Sequence, residues 1–159
     1  MSKTALILGS TGLTGSHLSD ILLSGNYYDK VISFVRKATG TSHPKLTEHI
    51  VDFDNPDSYG DLVKGDDLYC CLGTTIKKAG TQEAFAKVDL EYPLNFARIA
   101  KQNGINQYLI VSSLGANPKS GNFYLRTKGQ VEDGLRELGF AATVVVEPSF
   151  LLGDRKSVV

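Results

Sequence analysis

Three glycines at positions 9, 12 and 15 constrain the fold of this chain more than any other feature. The apolar run Thr4–Leu8 before them predicts a short buried strand, and a helical pattern covers residues 14–24 after them. Glycine permits positive φ angles and lets a ligand approach the backbone closely. The helix directs unpaired N–H groups and the positive end of its dipole at the turn. This order predicts a pyrophosphate-binding turn, and the alternative is a plain strand-to-helix connection.

Length and composition restrict the class of protein. With 159 residues, of which 42% are hydrophobic, the chain is long enough for one domain with a sizeable core. The 17 basic and 17 acidic residues balance, so no global field attracts nucleic acid or an anionic membrane. No apolar stretch reaches the length of a membrane span, and no signal-peptide pattern precedes the first strand. Cys70 and Cys71 are adjacent in an apolar run, which predicts reduced core thiols and a cytoplasmic location.

Strand-like and helix-like segments alternate along the whole chain. The predicted strands are Thr4–Leu8, 31–35, 48–51, 67–72, 108–112 and Ala142–Val146, and the predicted helices are 14–24, 57–63, 81–103 and 122–138. Pro93 predicts a new first helical turn near Asp89, and Asn122 is the expected N-cap of the last helix. Gly25, Gly104 and Gly139 are expected to end helices. Continuous apolar strands indicate a doubly wound α/β fold with a parallel sheet, and the expected strand order is 3-2-1-4-5-6.

In such a sheet a ligand lies across the carboxyl ends of the strands, so the residues after each strand are candidate ligand contacts. The first set is the phosphate turn, formed by Gly9, Ser10, Thr11, Gly12, Leu13, Thr14 and Gly15. Arg36 and Lys37 follow the second strand, where an acidic residue would favour NAD(H). Two cations suit a 2′-phosphate instead, which predicts NADP(H); the alternative is a solvated surface pair.

Two further loops offer weaker signals. Asp52 follows the third strand and can accept a hydrogen bond from an adenine amino group, with Phe53 packed nearby; a strand-end cap beside a core aromatic explains them equally well. Leu72, Gly73 and Thr74 follow the fourth strand, where a glycine lets the backbone lie close to the nicotinamide-side ribose. An ordinary turn is the alternative there.

The candidate catalytic residues are Ser112, Ser113, Tyr124 and Lys128. The four-residue gap places Tyr124 and Lys128 on one helical face, where an ammonium stabilises a phenolate and can bond a ribose. The phenol can then protonate a substrate carbonyl while a serine hydroxyl holds its oxygen. The alternative is an exposed surface pair. His17, His43 and His49 lack metal-ligand spacing, so no metal site is expected.

Combined motifs in this chain resemble the atypical short-chain dehydrogenase/reductases, in particular the Tat-interacting (CC3) oxidoreductase-like branch and its bacterial homologues. The motifs are Gly9-Ser-Thr-Gly12-Leu-Thr-Gly15, Val51-Asp52-Phe53, Cys71-Leu-Gly73-Thr-Thr75, Ser112-Ser113-Leu-Gly115-Ala116, Tyr124-Leu-Arg-Thr-Lys128-Gly129 and Asp154-Arg155. Together they cover essentially the whole chain. The resemblance implies a Rossmann fold that binds NADP(H) and holds a Ser-Tyr-Lys constellation.

The resemblance also implies a role for each motif. The glycine turn, with Ser10, Thr11, Leu13 and Thr14, would surround the pyrophosphate, and Arg36 would take the 2′-phosphate. The remaining implied contacts are Asp52 and Phe53 for adenine, Leu72, Gly73 and Thr74 for the ribose, Tyr124 and Lys128 for the nicotinamide, and Pro148 and Ser149 for the carboxamide. Glu147 departs from the family pattern, since relatives often carry arginine there. Because relatives continue with elements that cover the substrate, we expect residues 1–159 to form a single NAD(P)-binding domain without those elements.

Two functions from different classes fit these residues. The first is an NADP(H)-dependent oxidoreductase that reduces an unidentified carbonyl. The second is a non-catalytic NADPH-binding regulator that acts through a protein partner. An epimerase or reductase acting on nucleotide sugars or isoprenoids would share the site of the first. Oligomeric state stays open, because Leu90, Leu94, Ala97 and Ile99 are expected to face the sheet.

Overall fold

A parallel sheet organises the fold in a computed structural model that describes residues 1–153. Its strands are β1 (Thr4–Leu8), β2 (Lys30–Val35), β3 (Leu46–Ile50), β4 (Asp67–Cys70), β5 (Gln107–Val111) and β6 (Ala142–Val146). They pair in parallel in the order β3-β2-β1-β4-β5-β6. The predicted doubly wound topology is therefore confirmed.

Helices connect the strands and cover both faces of the sheet. They are α1 (Leu13–Ser24), α2 (Ile76–Ala79), α3 (Gln82–Ala86), α4 (Tyr92–Gln102) and α5 (Phe123–Leu138). Asn122 caps α5 as predicted, because its side chain accepts from the Leu125 N–H, and Gly139 ends α5 in the left-handed region. No helix among residues 1–153 has both the length and the apolar character needed to cross a membrane.

The predicted helix at 57–63 was wrong in type, since two 3-10 turns, Pro56–Ser58 and Gly60–Leu62, occupy this region. The short helix α2 was not predicted. β4 ends at Cys70 rather than Leu72, although the Cys71 N–H still donates to the Leu8 carbonyl at 2.9 Å. Its early end releases the following residues from the sheet to form a loop.

The predicted helical region 81–103 is one helical path with a wider turn in its middle. A π-helical segment, Lys87–Glu91, joins α3 to α4, and the Tyr92 N–H donates to the Lys87 carbonyl. Pro93 lies in the first turn of α4, as predicted, but that turn begins at Tyr92 rather than near Asp89. Because proline has no N–H, it cannot donate to the carbonyl four residues before it, and the wider turn accommodates this loss.

Two apolar cores lie on opposite faces of the sheet. Ala5 and Ile7 of β1 pack with Leu22 of α1 on one face. Leu6 and Leu8 of the same strand belong to the larger core on the other face, which contains Phe96, Ala97, Val131 and Leu135 of α4 and α5. β1 is therefore buried on both faces, as its continuous apolar sequence predicts. Leu90, Leu94 and Ile99 pack against the larger core, as expected.

Candidate functional site

The carboxyl ends of the neighbouring strands β1 and β4 form the topological switch point of the sheet. The chain leaves β1 toward α1 on one face of the sheet, and it leaves β4 toward α4 on the other face. In doubly wound sheets this reversal is the place where a ligand binds. The predicted ligand residues after β1, β2, β3, β4, β5 and β6 border the same end of the sheet.

Two of the three glycines in the turn after β1 are required by the packing of the chain itself. Gly9 has a φ of 76°, and a β-carbon there would lie 2.6 Å from the Cys71 backbone. A β-carbon on Gly15 would overlap the Gly9 carbonyl oxygen. These glycines permit the tight turn and the close approach of α1 to β1.

The packing of the chain does not require a glycine at position 12. Its φ of −77° suits any residue, and a β-carbon there would lie 3.5 Å from the Gly9 carbonyl oxygen, an ordinary contact. Gly12 is the N-cap of α1, no described side chain caps that end, and the first turn carries no acidic residue. The bare backbone and uncapped N–H groups fit a pyrophosphate, which needs close backbone approach and a positive helix end.

The other turn residues have distinct surroundings. Ser10 Oγ and Ser33 Oγ form a 2.7 Å hydrogen bond, which ties the turn to β2. Thr11 is exposed and Thr14 is half-buried. Leu13 lies against Gly153, where a β-carbon would be 2.6 Å from Leu13 Cδ1. Ser10 and Leu13 therefore contact other parts of the chain, whereas Thr11 is the exposed residue of the turn.

An open cavity of about 490 Å³ lies beside the ends of β2 and β3. Its lining residues are Arg36, Ile50, Val51, Asp52, Phe53, Asp54 and Tyr92. Asp54 Oδ1 lies 2.8 Å from Lys87 Nζ and accepts from the Tyr92 hydroxyl at 2.9 Å. These two hydrogen bonds lower the pKa of Asp54. Lys87 thus offsets the Asp54 charge beside the cavity that Arg36 lines.

Asp52 and Phe53 contribute differently to this cavity. Phe53 is 4% exposed and packs against Tyr92 and Phe96, with ring centroids 5.4 Å and 5.5 Å away. It is therefore a core aromatic with almost no surface exposed to the cavity. Asp52 is exposed, and its Oδ1 accepts from the Asp54 N–H at 3.0 Å in a local turn. Its second carboxylate oxygen has no hydrogen bond within residues 1–153.

The loop after β4 rests on a buried carboxylate. Thr74 N–H donates to Asp89 Oδ2 at 3.0 Å, and a β-carbon on exposed Gly73 would lie 3.6 Å from Asp89 Oδ1. Asp89 is 1% exposed. Burial raises the pKa of Asp89, while Lys128 and the Thr74 amide act in the opposite direction.

Tyr124 and Lys128 lie on α5 at the same end of the sheet. Lys128 is only 6% exposed, and its Nζ is 2.6 Å from Asp89 Oδ1. That nitrogen also lies 5.7 Å from the centroid of the half-buried Tyr124 ring. The ring packs against Phe85, with centroids 5.6 Å apart. This burial is inconsistent with the alternative of an exposed surface pair.

The two serines after β5 are not equivalent. Ser112 Oγ donates to Glu132 Oε1 at 2.5 Å, and Glu132 is 3% exposed. Arg136 Nη2 lies 3.1 Å from the other oxygen of Glu132. Ser113 Oγ makes only a long 3.4 Å hydrogen bond to the Leu114 carbonyl among residues 1–153. The Ser113 hydroxyl therefore makes the weaker hydrogen bond of the two and is more available to a ligand.

Pro148 lies beside these serines. Its carbonyl accepts from the Leu114 N–H at 3.0 Å, which fixes the segment after β6 next to the loop after β5. Glu147 and Ser149 are exposed. Large apolar side chains are exposed nearby in sequence, with Leu114 61%, Phe150 90% and Leu152 94% accessible. Asp154 and Arg155 of the motif set lie outside the described residues.

Comparison with known proteins identifies the family. A family model described as NAD(P)H-binding matches residues 9–157. The chain belongs to this NAD(P)H-binding family. Protein HTATIP2 of Rattus norvegicus is 36% identical over 159 residues, which cover 98% of this chain and 65% of that protein. This similarity confirms the resemblance to the Tat-interacting oxidoreductase-like branch.

Another relative and a solved structure extend the comparison. The mitochondrial protein FMP52 of Meyerozyma guilliermondii is 36% identical over 157 residues, which cover 96% of this chain and 67% of that protein. Its stated location differs from the cytoplasmic one that we expect here. The Bordetella bronchiseptica enzyme WbmH in complex with NAD+ has the same fold, with a TM-score of 0.82, 20% identity, and coverage of 100% of this chain and 60% of that one. This chain spans about two thirds of the length of HTATIP2 and FMP52.

Within this NAD(P)H-binding fold, sequence reasoning missed two buried acids, Asp89 and Glu132. Asp89 interrupts the apolar pair Val88 and Leu90, and a carboxylate in such a run is a signal of a buried partner. Glu132 follows Lys128 by one helical turn, so it faces the same side of α5. Each of the two acids contacts a predicted site residue.

Proposed function

We propose that this protein is an NADP(H)-dependent oxidoreductase that reduces a carbonyl group. The observation that carries the proposal is the burial of Lys128 beside Tyr124 at the ligand end of an NAD(P)H-binding fold. A buried lysine and a tyrosine on one helical face suit proton transfer to a substrate oxygen. The proposed substrate is a small molecule whose identity the site leaves open.

The turn after β1 supports the cofactor part of the proposal. The N–H groups of Leu13 and Thr14, with the bare Gly12 backbone, would hold the pyrophosphate. Arg36 would hold the 2′-phosphate, because a guanidinium binds phosphate in a bidentate manner. Since Lys87 offsets the charge of Asp54, Asp52 is the carboxylate left to accept from the adenine amino group.

The reactive part needs three side chains with separate tasks. A nicotinamide cofactor bound at this end of the sheet would supply the hydride. The Tyr124 hydroxyl donates its proton to the carbonyl oxygen, and the Lys128 ammonium stabilises the resulting phenolate. Ser113 Oγ donates a hydrogen bond to the same oxygen. We assign this task to Ser113 because the Ser112 hydroxyl donates to buried Glu132.

A binding titration tests the cofactor assignment. We expect the wild-type chain to bind NADPH at least about tenfold more tightly than NADH, and Arg36→Ala to lose this preference. Lys37→Ala is the matched control, because Lys37 is the adjacent exposed cation and does not line the cavity. It should keep the preference for NADPH. Equal wild-type affinities, or an Arg36→Ala variant with unchanged preference, would refute the assignment.

A kinetic measurement tests the reactive residues. A panel of aldehydes and ketones is first assayed with the wild type. Tyr124→Phe should no longer reduce the compounds that the wild type reduces, while its dissociation constant for NADPH stays within about twofold of the wild-type value. Tyr27→Phe is the control, since Tyr27 is 63% exposed and precedes β2 at the opposite end of the sheet. If Tyr124→Phe reduced the substrate as fast as Tyr27→Phe does, Tyr124 would be ruled out as the proton donor.

A second candidate function is a non-catalytic NADPH-binding regulator with a protein partner. The exposed apolar side chains Leu114, Phe150 and Leu152 favour it, because a partner surface would bury them. This function predicts NADPH binding without turnover of any carbonyl, and a partner retained in only one cofactor state. Turnover by the isolated chain would count against it.

A further inference from the structure

The cavity beside β2 and β3 contains opposite charges that do not pair with each other. Its charged lining residues are Arg36, Asp52 and Asp54. Arg36 is exposed and forms no ion pair with another residue in the described range 1–153. Asp54 pairs instead with Lys87, whose Nζ lies 2.8 Å from Asp54 Oδ1. Lys87 does not line the cavity, so its charge acts there through Asp54.

Tyr92 links this carboxylate to Arg36. Asp54 Oδ1 also accepts from the Tyr92 hydroxyl at 2.9 Å, and no described residue donates to Asp54 Oδ2. Burial and the hydrogen bond to Asp54 raise the pKa of Tyr92, whereas the charges of Lys87 and Arg36 oppose this shift. Arg36 is therefore close enough to act electrostatically on the hydroxyl that binds Asp54. Without Lys87, Arg36 is the cation that shares the cavity with the Asp54 carboxylate.

The balance of charge shows what Lys87 contributes. Two carboxylates and one guanidinium leave the lining with an excess of negative charge, and the Lys87 ammonium cancels this excess. A 2′-phosphate is an anion, so an excess negative charge beside its binding residue would oppose it. The side chains of Lys87 and Asp54 are 47% and 52% accessible, and ion pairs as exposed as this one add little to stability. An electrostatic role in the cavity therefore explains the pair better than a structural one.

We propose that Lys87 is a specificity-determining residue that holds the Asp54 carboxylate and so leaves the Arg36 guanidinium free for the 2′-phosphate of NADP(H). This proposal rests on the proposed function, because Arg36 has to be free only if a phosphorylated dinucleotide binds there. A guanidinium binds carboxylates and phosphates through the same planar fork of donors, so an unrestrained Asp54 competes with the phosphate. NADH has no 2′-phosphate, so its binding does not depend on a free Arg36.

A double-mutant cycle on the cofactor preference tests this role. Lys87→Met should reduce the preference for NADPH over NADH by about fivefold, because the solvent-screened charge of Asp54 then opposes the phosphate. If Lys87 acts through Asp54, the double variant Asp54→Asn, Lys87→Met should regain at least the wild-type preference. If Lys87 bound the phosphate directly, its removal would also reduce the preference in the Asp54→Asn background. That result would overturn the proposal.

Lys77→Met serves as the matched control in this cycle. Lys77 is an exposed lysine of α2, which follows the loop after β4, and it does not line the cavity. Among residues 1–153 it forms no ion pair. The control removes the same charge from the chain, and its preference for NADPH should stay within about twofold of the wild-type value. An equal loss in Lys77→Met and Lys87→Met would indicate an effect of net charge and would contradict a specific role of Lys87.

Two cofactor fragments show whether the effect arises at the 2′-phosphate. Lys87→Met should weaken the binding of adenosine 2′,5′-bisphosphate by about fivefold and leave that of 5′-AMP within about twofold. Equal weakening of both fragments would indicate a lost adenine contact and would overturn the proposal. Equal wild-type affinities for NADPH and NADH would refute the proposed cofactor and this role with it. A wild-type preference for NADPH that persists in Lys87→Met would refute only the role of Lys87.

Discussion

Gly15 lies so close to the carbonyl oxygen of Gly9 that a β-carbon at position 15 would overlap this atom. Gly12, between them in the same turn, would accept a β-carbon with an ordinary 3.5 Å contact. The glycines of one motif therefore have different physical causes. Gly9 and Gly15 are needed to pack the chain, whereas the bare surface of Gly12 is needed only if a ligand approaches.

Alanine substitutions at these glycines should separate stability from binding. Gly15→Ala should lower the free energy of unfolding by about 1–3 kcal/mol or more, because the new methyl group forces α1 away from β1. Gly12→Ala should cost below about 1 kcal/mol, since alanine is only a poorer N-cap. It should nevertheless weaken NADPH binding by at least about tenfold. Urea denaturation and NADPH titration measure the two effects.

Each of the two variants serves as the control for the other. Equal losses of stability in Gly12→Ala and Gly15→Ala would show that position 12 is also a packing position. NADPH affinity unchanged in Gly12→Ala would remove the reason for placing the pyrophosphate against this backbone.

Substitutions at the two adjacent serines should affect different properties, stability at Ser112 and turnover at Ser113. Ser112→Ala removes a donor from buried Glu132, so we expect a loss of about 1–3 kcal/mol in the free energy of unfolding. Ser113→Ala removes only a 3.4 Å contact and should leave the stability within about 0.5 kcal/mol. Turnover of a carbonyl substrate should fall in Ser113→Ala, because the proposed donor to the substrate oxygen is lost.

Denaturation and steady-state kinetics on both variants check this pair. If Ser113→Ala reduced the carbonyl at the wild-type rate, the proposed donor would have to be assigned elsewhere. A stable Ser112→Ala protein would show that Arg136 alone satisfies Glu132.

Local sequence patterns were sufficient to predict the strand order and the turn after β1. Thr4–Leu8 was predicted with its observed bounds, because a strand buried on both faces has a continuous apolar sequence. The helical path over residues 81–103 was predicted as well, but its π segment was not. Proline indicates a helix start in sequence, and only the packing of neighbouring elements decides whether the preceding turn widens instead.

Long-range contacts explain what the sequence left out of the candidate site. Asp89 is separated from Lys128 by 39 positions, so neither residue identifies the other as its partner. Ser112 and Ser113 are adjacent, and only the position of Glu132 on α5 distinguishes their hydroxyls. The sequence allowed two interpretations of Phe53, an adenine contact or a core aromatic. Its burial results from packing against Tyr92 and Phe96 of α4, which are distant in sequence.

The adjacent thiols Cys70 and Cys71 make the free energy of unfolding depend on pH in the alkaline range. Both are free cysteines at the end of β4. Burial raises the pKa of Cys70 to about 11 and that of Cys71 to about 12, from an ordinary value of 9.0. A raised thiol pKa means that ionisation favours the unfolded chain. Their contribution to stability is therefore complete below about pH 9 and declines as the pH rises above it.

Cys70→Ala tests this dependence directly, because Cys70 is only 1% exposed. Between about pH 8 and about pH 10, the wild type should lose about 1 kcal/mol of unfolding free energy through Cys70 alone. The alanine variant lacks this loss, so the stability difference between the two proteins should narrow by about 1 kcal/mol over the same interval. Urea denaturation under reducing conditions at both pH values measures it. Parallel pH profiles for the two proteins would show that Cys70 titrates alike in the folded and unfolded chains.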